Sequence, residues 1–361
     1  MRAKLSVAAV VALVALPAAA SADTLVTVGS PSTPFPQNKQ NEPRVAIDPS
    51  NPSVLAAGSN DEIDLAPCDG SDCPFTQGVG VSGVYLSFNG GASWGQPTYT
   101  GFSARTGTPG TGPIGTLPNY DTHGLASDGD PVLAFGPRRG SSGRFSWSNG
   151  SRLYYGNLTA NFSTVRKEAA FKGFEAVAVS YTDSVSAAAA GSNSAWSAPV
   201  IVTQTRQSST TFSDKPDVWA DNASSSPFFG NVYVCYAQFR SQQEAGPVPI
   251  TITRSTDGGA TWSKPNSLSN ATKDKNDIER QGCQVRTDSR GGVYAFWHGS
   301  DHGTPAQFMD RSFDGGVRWE RPRVVAHVTD VGQFDLVRSI SFDGIAGART
   351  GSLPTVDLAN G

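Results

Sequence analysis

The stretch RSTDGGATWSKP, residues 254–265, decides how this chain is read. Related strings stand at residues 86–97 (LSFNGGASWGQP) and 311–322 (RSFDGGVRWERP). Each has two adjacent glycines in a polar turn, then a tryptophan, then a proline. In the first, Asp257 can accept hydrogen bonds from backbone N–H groups ahead of it, as an Asx turn does. Gly258 and Gly259 permit the positive φ of a tight hairpin. The hydroxyls of Ser255 and Thr261 can tie the two arms together. Trp262 offers a large apolar plate whose N–H seeks a carbonyl. Every residue type here shapes a turn, and none is placed for catalysis. Asn89 and Trp94, Asp257 and Trp262, and Asp314 and Trp319 therefore mark structural turns.

Working outward, W-x-x-P occurs at Trp94–Pro97, Trp196–Pro199, Trp262–Pro265 and Trp319–Pro322. Each is preceded by a run ending in a turn: EPRVAIDP from Glu42, DPVLAFGP from Asp130, DKPDVWAD from Asp214 and GCQVRTDS from Gly282. Between them lie GVYLSF (83–88), SRLYYGNL (151–158), GNVYVCYAQF (230–239) and GGVYAFWH (291–298), rich in strand-forming residues with two-residue alternation. Helical periodicity is nearly absent. The ambiguous piece, 164–180, reads as a strand in its second half. Units of about four strands, beginning near residues 41, 129, 214 and 282, predict the blades of an all-β propeller. A fifth unit begins near ARTGSLPTVDLANG (348–361). Either the sequence is a piece of a longer protein, or the two long first units each hold an extra blade.

The 361 residues carry a formal charge of −3 and no Lys/Arg run, which argues against a nucleic-acid partner. Residues 1–22 read as a secretory signal peptide: Arg2 and Lys4, then an apolar run from Leu5 to Leu16, then Ala20-Ser21-Ala22. That run is too short to span a bilayer. Residues 23–40 read as an extended leader and 41–361 as the propeller domain. The expected product is a secreted monomer, extracellular or periplasmic, without a membrane span. In that compartment the four cysteines are candidates for disulfides. Cys68 and Cys73 enclose a tight loop, and Cys235 and Cys283 stand in two strand-like runs; the alternative for either pair is buried free thiols.

The repeated turn resembles the Asp box, S-x-D-x-G-x-T-W, of the bacterial neuraminidase repeat. Residues 255–262 match it in full. Residues 87–94 match with Asn89 for Asp and Ser93 for Thr, and residues 312–319 with Arg318 for Thr. Near Trp196 only Trp and Pro persist. The resemblance covers about residues 41–361 and implies a sialidase-type propeller, six-bladed in most members. It also implies that the boxes lie away from the active site.

Such enzymes grip a substrate carboxylate with three arginines, because planar guanidinium forks bind it bidentately. They use a Tyr nucleophile activated by Glu, and an Asp acid/base. Here Arg44 (in EPRVAI, without the family's following Pro), Arg280 and Arg349 are the substrate-binding candidates, with exposed surface arginines as the alternative. Asp61 and Glu62 are the catalytic candidates, because clustered carboxylates raise one another's pKa. The acidic loop 61–72, with Asp64, Asp69 and Asp72, is also a candidate Ca²⁺ site. No Tyr can be carried over as nucleophile. HGSDH (298–302) has two His and one Asp but lacks a third anchored ligand. GTPGTGPIGT (107–116) lacks the Lys of a phosphate cradle. The reading is an exo-acting, sialidase-like glycosidase on extracellular glycans. The alternative is a non-catalytic propeller that binds glycan or protein.

Overall fold

The quoted turns each close a hairpin at the outer side of a β-sheet. A computed structural model describes residues 23–359, apart from 71–72, 204–209, 241–247, 270–280, 331–332, 336–338 and 342–350. Blade 1 is β1 (Gln40–Ile47), β2 (Leu55–Asp61) and β3 (Ser82–Ser87), antiparallel, with Gly95 bridged to Leu86 where a fourth strand would run. A hairpin, β4 (Tyr99–Ser103) and β5 (Gly110–Ile114), follows. Blade 2 holds β6 (Leu125–Ser127), β7 (Val132–Arg139), β8 (Phe145–Asn161), β9 (Ala176–Thr182) and β10 (Val200–Ile201), with β6 and β7 both pairing with the long β8. Blade 3 is β11 (Phe212–Ala220), β12 (Val232–Phe239), β13 (Ile250–Ser255) and β14 (Asn266–Ser267). Blade 4 is β15 (Gln281–Thr287), β16 (Val293–Asp301), β17 (Thr304–Ser312) and β18 (Arg323–His327). A small hairpin, β19 (Gln333–Asp335) with β20 (Ser339–Ser341), and an extended segment 351–359 follow.

The first strands of the units, β1, β7, β11 and β15, contact one another in sequence order, so the sheets radiate from a common axis as propeller blades. The all-β expectation and the unit starts both hold. In the piece 164–180 the second half is the strand β9, as expected, and a short turn of 3₁₀ helix (Arg166–Glu168) precedes it. The blades are glued by apolar layers between facing sheets. Val132, Tyr154, Val177 and Val179 of blade 2 meet Val218, Val232 and Val234 of blade 3. Tyr233, Cys235 and Ile252 of blade 3 meet Val285, Ala295 and Trp297 of blade 4. Each fully buried side chain of this size contributes roughly 1.5–3 kcal/mol relative to exposure. Both disulfides form, Cys68–Cys73 within the acidic loop and Cys235–Cys283 across the blade 3–blade 4 interface, with Cα–Cα distances of 6.2 and 6.0 Å.

The turns are built as their residue types require. Ser255 Oγ accepts from Gly259 N at 2.8 Å and donates to Asp257 Oδ1 at 2.8 Å. Asp257 accepts from Thr261 N at 2.9 Å and from Thr261 Oγ1 at 2.6 Å. Trp262 Nε1 donates to Gly259 O at 3.1 Å. The turn at 312–319 repeats this set except for the hydroxyl bond, since Arg318 replaces the threonine, with Trp319 Nε1 on Gly316 O at 3.3 Å. In the turn at 87–94, Asn89 Oδ1 accepts from Ser93 N at 2.9 Å. At Trp196 the turn is replaced by a one-turn helix, Val185–Ala189, and the buried indole donates to Tyr99 Oη at 3.0 Å instead.

Partial burial pushes the Asp257 carboxyl up, but the bonds from Thr261 and Ser255 outweigh it and hold the group below its ordinary value. A depressed folded-state pKa contributes stability above the unfolded value, lost as pH falls. Asp257→Ala is therefore expected to lower stability at neutral pH by about 1–3 kcal/mol. Urea unfolding at a series of pH values checks this; the deficit must shrink toward acid pH, and a pH-independent deficit would contradict the account.

Candidate active site

The site begins with a flaw shared by the inner strands. Glu42 (φ 53°), Asp130 (φ 47°) and Lys215 (φ 47°) are non-glycine residues in the left-handed region, and Gly282 (φ 65°) holds the corresponding place in blade 4. Each of the three charged residues precedes a proline: Pro43, Pro131 and Pro216. Proline has no N–H to give to a ladder, so pairing breaks there. The register slips between Asn41 and Arg44, between Asp214 and Asp217, and between Gln281 and Gln284. In blade 4 the proline position is taken by Cys283, and its disulfide to Cys235 of β12 does the fastening.

These bulges open onto one axial cavity of about 840 Å³, lined from all four inner strands. Lys215 Nζ lies 2.7 Å from Glu42 and 3.0 Å from Asp130, tying blades 1, 2 and 3 together across the axis. Asn60 Oδ1 accepts from Asp130 N at 2.6 Å and holds the left-handed residue that precedes β7. Burial pushes the Glu42 carboxyl up, the neighbouring Asp130 adds to the shift, and Lys215 opposes it. Burial draws the Lys215 ammonium down, but Asp130, Asp214 and Glu42 outweigh it and keep it charged. Glu42 and Asp130 thus share the Lys215 cation.

Arg44 lines the same cavity, exposed, and among the described residues it has no carboxylate partner. Arg280 and Arg349 lie outside the described residues. Their chain neighbours Gln281 and Gly351 line the cavity. His298 lines the blade 4 wall, buried, with Nε2 3.1 Å from Asp330 Oδ1. Its partner in HGSDH, His302, is exposed.

The acidic loop is placed differently from a proton donor facing substrate. Asp61 is fully buried, and its carboxylate accepts from Tyr85 Oη at 2.6 Å, Ser30 Oγ at 2.7 Å, Gln96 Nε2 at 2.9 Å and Ile63 N at 3.1 Å. It anchors the leader and blade 1. Asp64, also fully buried, is held by Arg105 at 2.6 Å, by Thr116 and by Gly115 N. Protein donors thus fill the oxygens of Asp61 and Asp64 that a Ca²⁺ ion would need; Asp69 is exposed, and Asp72 lies outside the described residues. Among the described residues no group of three or more His, Cys, Asp or Glu side chains is arranged to hold a metal.

Glu62 pairs with Lys39 at 3.0 Å and lines a side chamber of about 230 Å³ together with Asp128 and Glu175. The chamber shares Asn41 and Asn60 with the axial cavity. Burial, and then the charges of Asp128, Asp214 and Asp130, push the Glu175 carboxyl well above its ordinary value. Burial likewise raises Asp128, which is hydrogen-bonded to Glu175. Glu42, Asp130, Lys215, Asp128 and Glu175 were not singled out from sequence as site residues. The signal for three of them was present: a charged residue before proline, recurring at the start of successive inner strands.

No family model matches the chain, and no curated protein matches it. Solved structures do. The Hadza microbial sialidase Hz136 is similar at 13% identity over 81% of this chain and 48% of that one, with a TM-score of 0.45. The GH93 α-L-arabinofuranosidase of Fusarium graminearum, in complex with arabinobiose, is similar at 9% identity over 84% and 72%, with a TM-score of 0.47. The intramolecular trans-sialidase from Ruminococcus gnavus is similar at 11% identity over 82% and 74%, with a TM-score of 0.42. The chain spans about half the length of the Hadza sialidase.

The raised Glu175 pKa has a stability consequence. Between the unfolded and folded values the unfolded chain loses this proton first, so stability falls as pH rises through that window. Glu175→Gln removes the effect. The melting temperature of the variant is expected to gain on wild type as pH rises above about 4.3, where an ordinary Glu ionises in the unfolded chain. Parallel melting curves across that range would show that Glu175 is not held protonated.

Proposed function

We propose that this chain is an exported glycan-active propeller that works as a glycoside hydrolase from its axial cavity. The observation that carries the reading is the convergence of Glu42, Asp130 and Lys215 on strained backbone at the axis. Strain and shifted carboxyl groups gather where chemistry is done. The resemblance of the turns to the Asp box supports the glycosidase class. Export rests on the apolar leader and the two disulfides.

Hydrolysis needs a proton for the leaving oxygen and a carboxylate to take a proton from water. Glu42, whose carboxyl is pushed up, is the proposed donor to the glycosidic oxygen, positioned by Asp130 and Lys215. The carboxylate that takes the proton from water stands outside this pair, because acid and base flank the sugar about 5 Å or more apart. Arg44 is the proposed grip on an acidic group of the sugar, joined by Arg280 and Arg349. Asp61 and Glu62 then support the site, Asp61 by holding blade 1 and Glu62 from the side chamber. The residues of the resolved cavity wall favour one alternative. No tyrosine lines it among the described residues, and Lys215 occupies both carboxylates. The second reading is therefore a propeller that binds an acidic glycan without cleaving it.

Both readings are tested together on fluorogenic acidic and neutral glycosides and by glycan binding. Hydrolysis by wild type, reduced about 10²–10⁴-fold in Glu42→Gln and Asp130→Asn, is expected. Binding that is lost in Arg44→Ala, with no turnover on any glycoside, would replace the enzyme by the binding module. Lys215 lowers the Glu42 pKa. Lys215→Met is accordingly expected to move the alkaline limb of the activity profile to higher pH, since Glu42 then keeps its proton longer.

A further inference from the structure

The side chamber lies between blades 1 and 2, beside the axial cavity. Blade 1 supplies Asn41 of β1, Asn60 of β2 and Glu62 just beyond β2, with Lys39 ahead of β1. Blade 2 supplies Asp128, ahead of β7, and Glu175, ahead of β9. Phe75 completes the wall. The Cys68–Cys73 disulfide closes the acidic loop just before Phe75, and Cys68 N donates to Phe35 O at 2.9 Å, which fastens that loop to the leader. The Phe75 ring is nonetheless 62% exposed.

The charges of this chamber are largely balanced from within. Lys39 Nζ lies 3.0 Å from Glu62 Oε1 and 5.4 Å from the centre of the Phe35 ring. Glu175, pushed well above its ordinary value, keeps its proton and hydrogen-bonds to Asp128. A sugar bearing a carboxylate or sulfate would meet Glu62 and Asp128 and be repelled. A neutral sugar meets what its hydroxyls need, since each of them both donates and accepts. The carboxyl oxygens accept, and the amides of Asn41 and Asn60 donate. Asn60 spends its Oδ1 on Asp130 N, so its amide N–H groups are what it can offer a ligand. The Phe75 ring offers a flat apolar surface to the C–H face of a sugar. The volume, about 230 Å³, accommodates a single ring.

We infer that the side chamber is a second sugar subsite, which takes one uncharged sugar ring linked to the acidic sugar in the axial cavity. Asn41 and Asn60 line both cavities, so the glycosidic link passes over them. The inference rests on the proposed reading of the axial cavity as an acidic-sugar site, in either its hydrolytic or its binding form. It adds that the glycan is mixed, with a neutral residue next to the acidic one.

Isothermal titration calorimetry with matched probes tests this. The probes are methyl glycosides of sialic and uronic acids, and disaccharides in which the same acid is linked through sulfur, to prevent cleavage, to galactose or to a second acid. Wild type is expected to bind an acid–galactose pair about tenfold tighter than the acid alone, the gain of one more stacked and hydrogen-bonded ring. Phe75→Ala is expected to remove most of that gain, whereas Arg44→Ala weakens both probes alike. Phe75 is exposed, and melting curves confirm that the variant folds. An undiminished gain in Phe75→Ala, equal affinity with and without galactose, or tighter binding of the acid–acid pair would each overturn the second subsite and leave the axial reading in place. If no acidic sugar bound in any form, the axial reading and the subsite would fall together.

Discussion

The site depends on a backbone constraint: a left-handed residue before proline at the head of successive inner strands. Such a conformation at a non-glycine residue costs of order 1–3 kcal/mol, and it persists only where the surroundings fix it. For β7, β11 and β15 the surroundings are the apolar layers between blades, which bury Val132, Val218 and Val285. At these positions Glu42, Asp130 and Lys215 line the axial cavity. Blade 4 reaches the same geometry by other means, with a glycine for the φ and a disulfide for the proline.

Scaffold and chemistry occupy different places on each blade. The Ser-Asp-Gly-Gly turns lie between the third and fourth strands and are saturated with internal hydrogen bonds. At the axial cavity, by contrast, charges from separate blades meet. A propeller can therefore keep its turns constant while the residues at the strand heads vary, which is why fold alone does not assign a reaction. The Glu175–Asp128 pair in the side chamber shows that the polar network extends behind the cavity wall.

The sequence by itself determined the local elements. Alternating Val, Tyr and Phe dictate strands, and Asp257, Gly258, Gly259 and Trp262 dictate a turn whose shaping bonds are made within eight residues. Strand class, unit starts and turn geometry were legible for that reason. The electrostatic site was not, because it joins Glu42, Asp130 and Lys215 across separations of 85 residues and more. Asp61 shows the same limit in the other direction. Its acidic neighbours in sequence suggest a proton donor, but folding brings Tyr85, Ser30 and Gln96 onto its oxygens and makes it an anchor. A carboxylate's role is set by what lies within about 4 Å of it, where Coulomb and hydrogen-bond energies are large. Only the tertiary structure decides those neighbours.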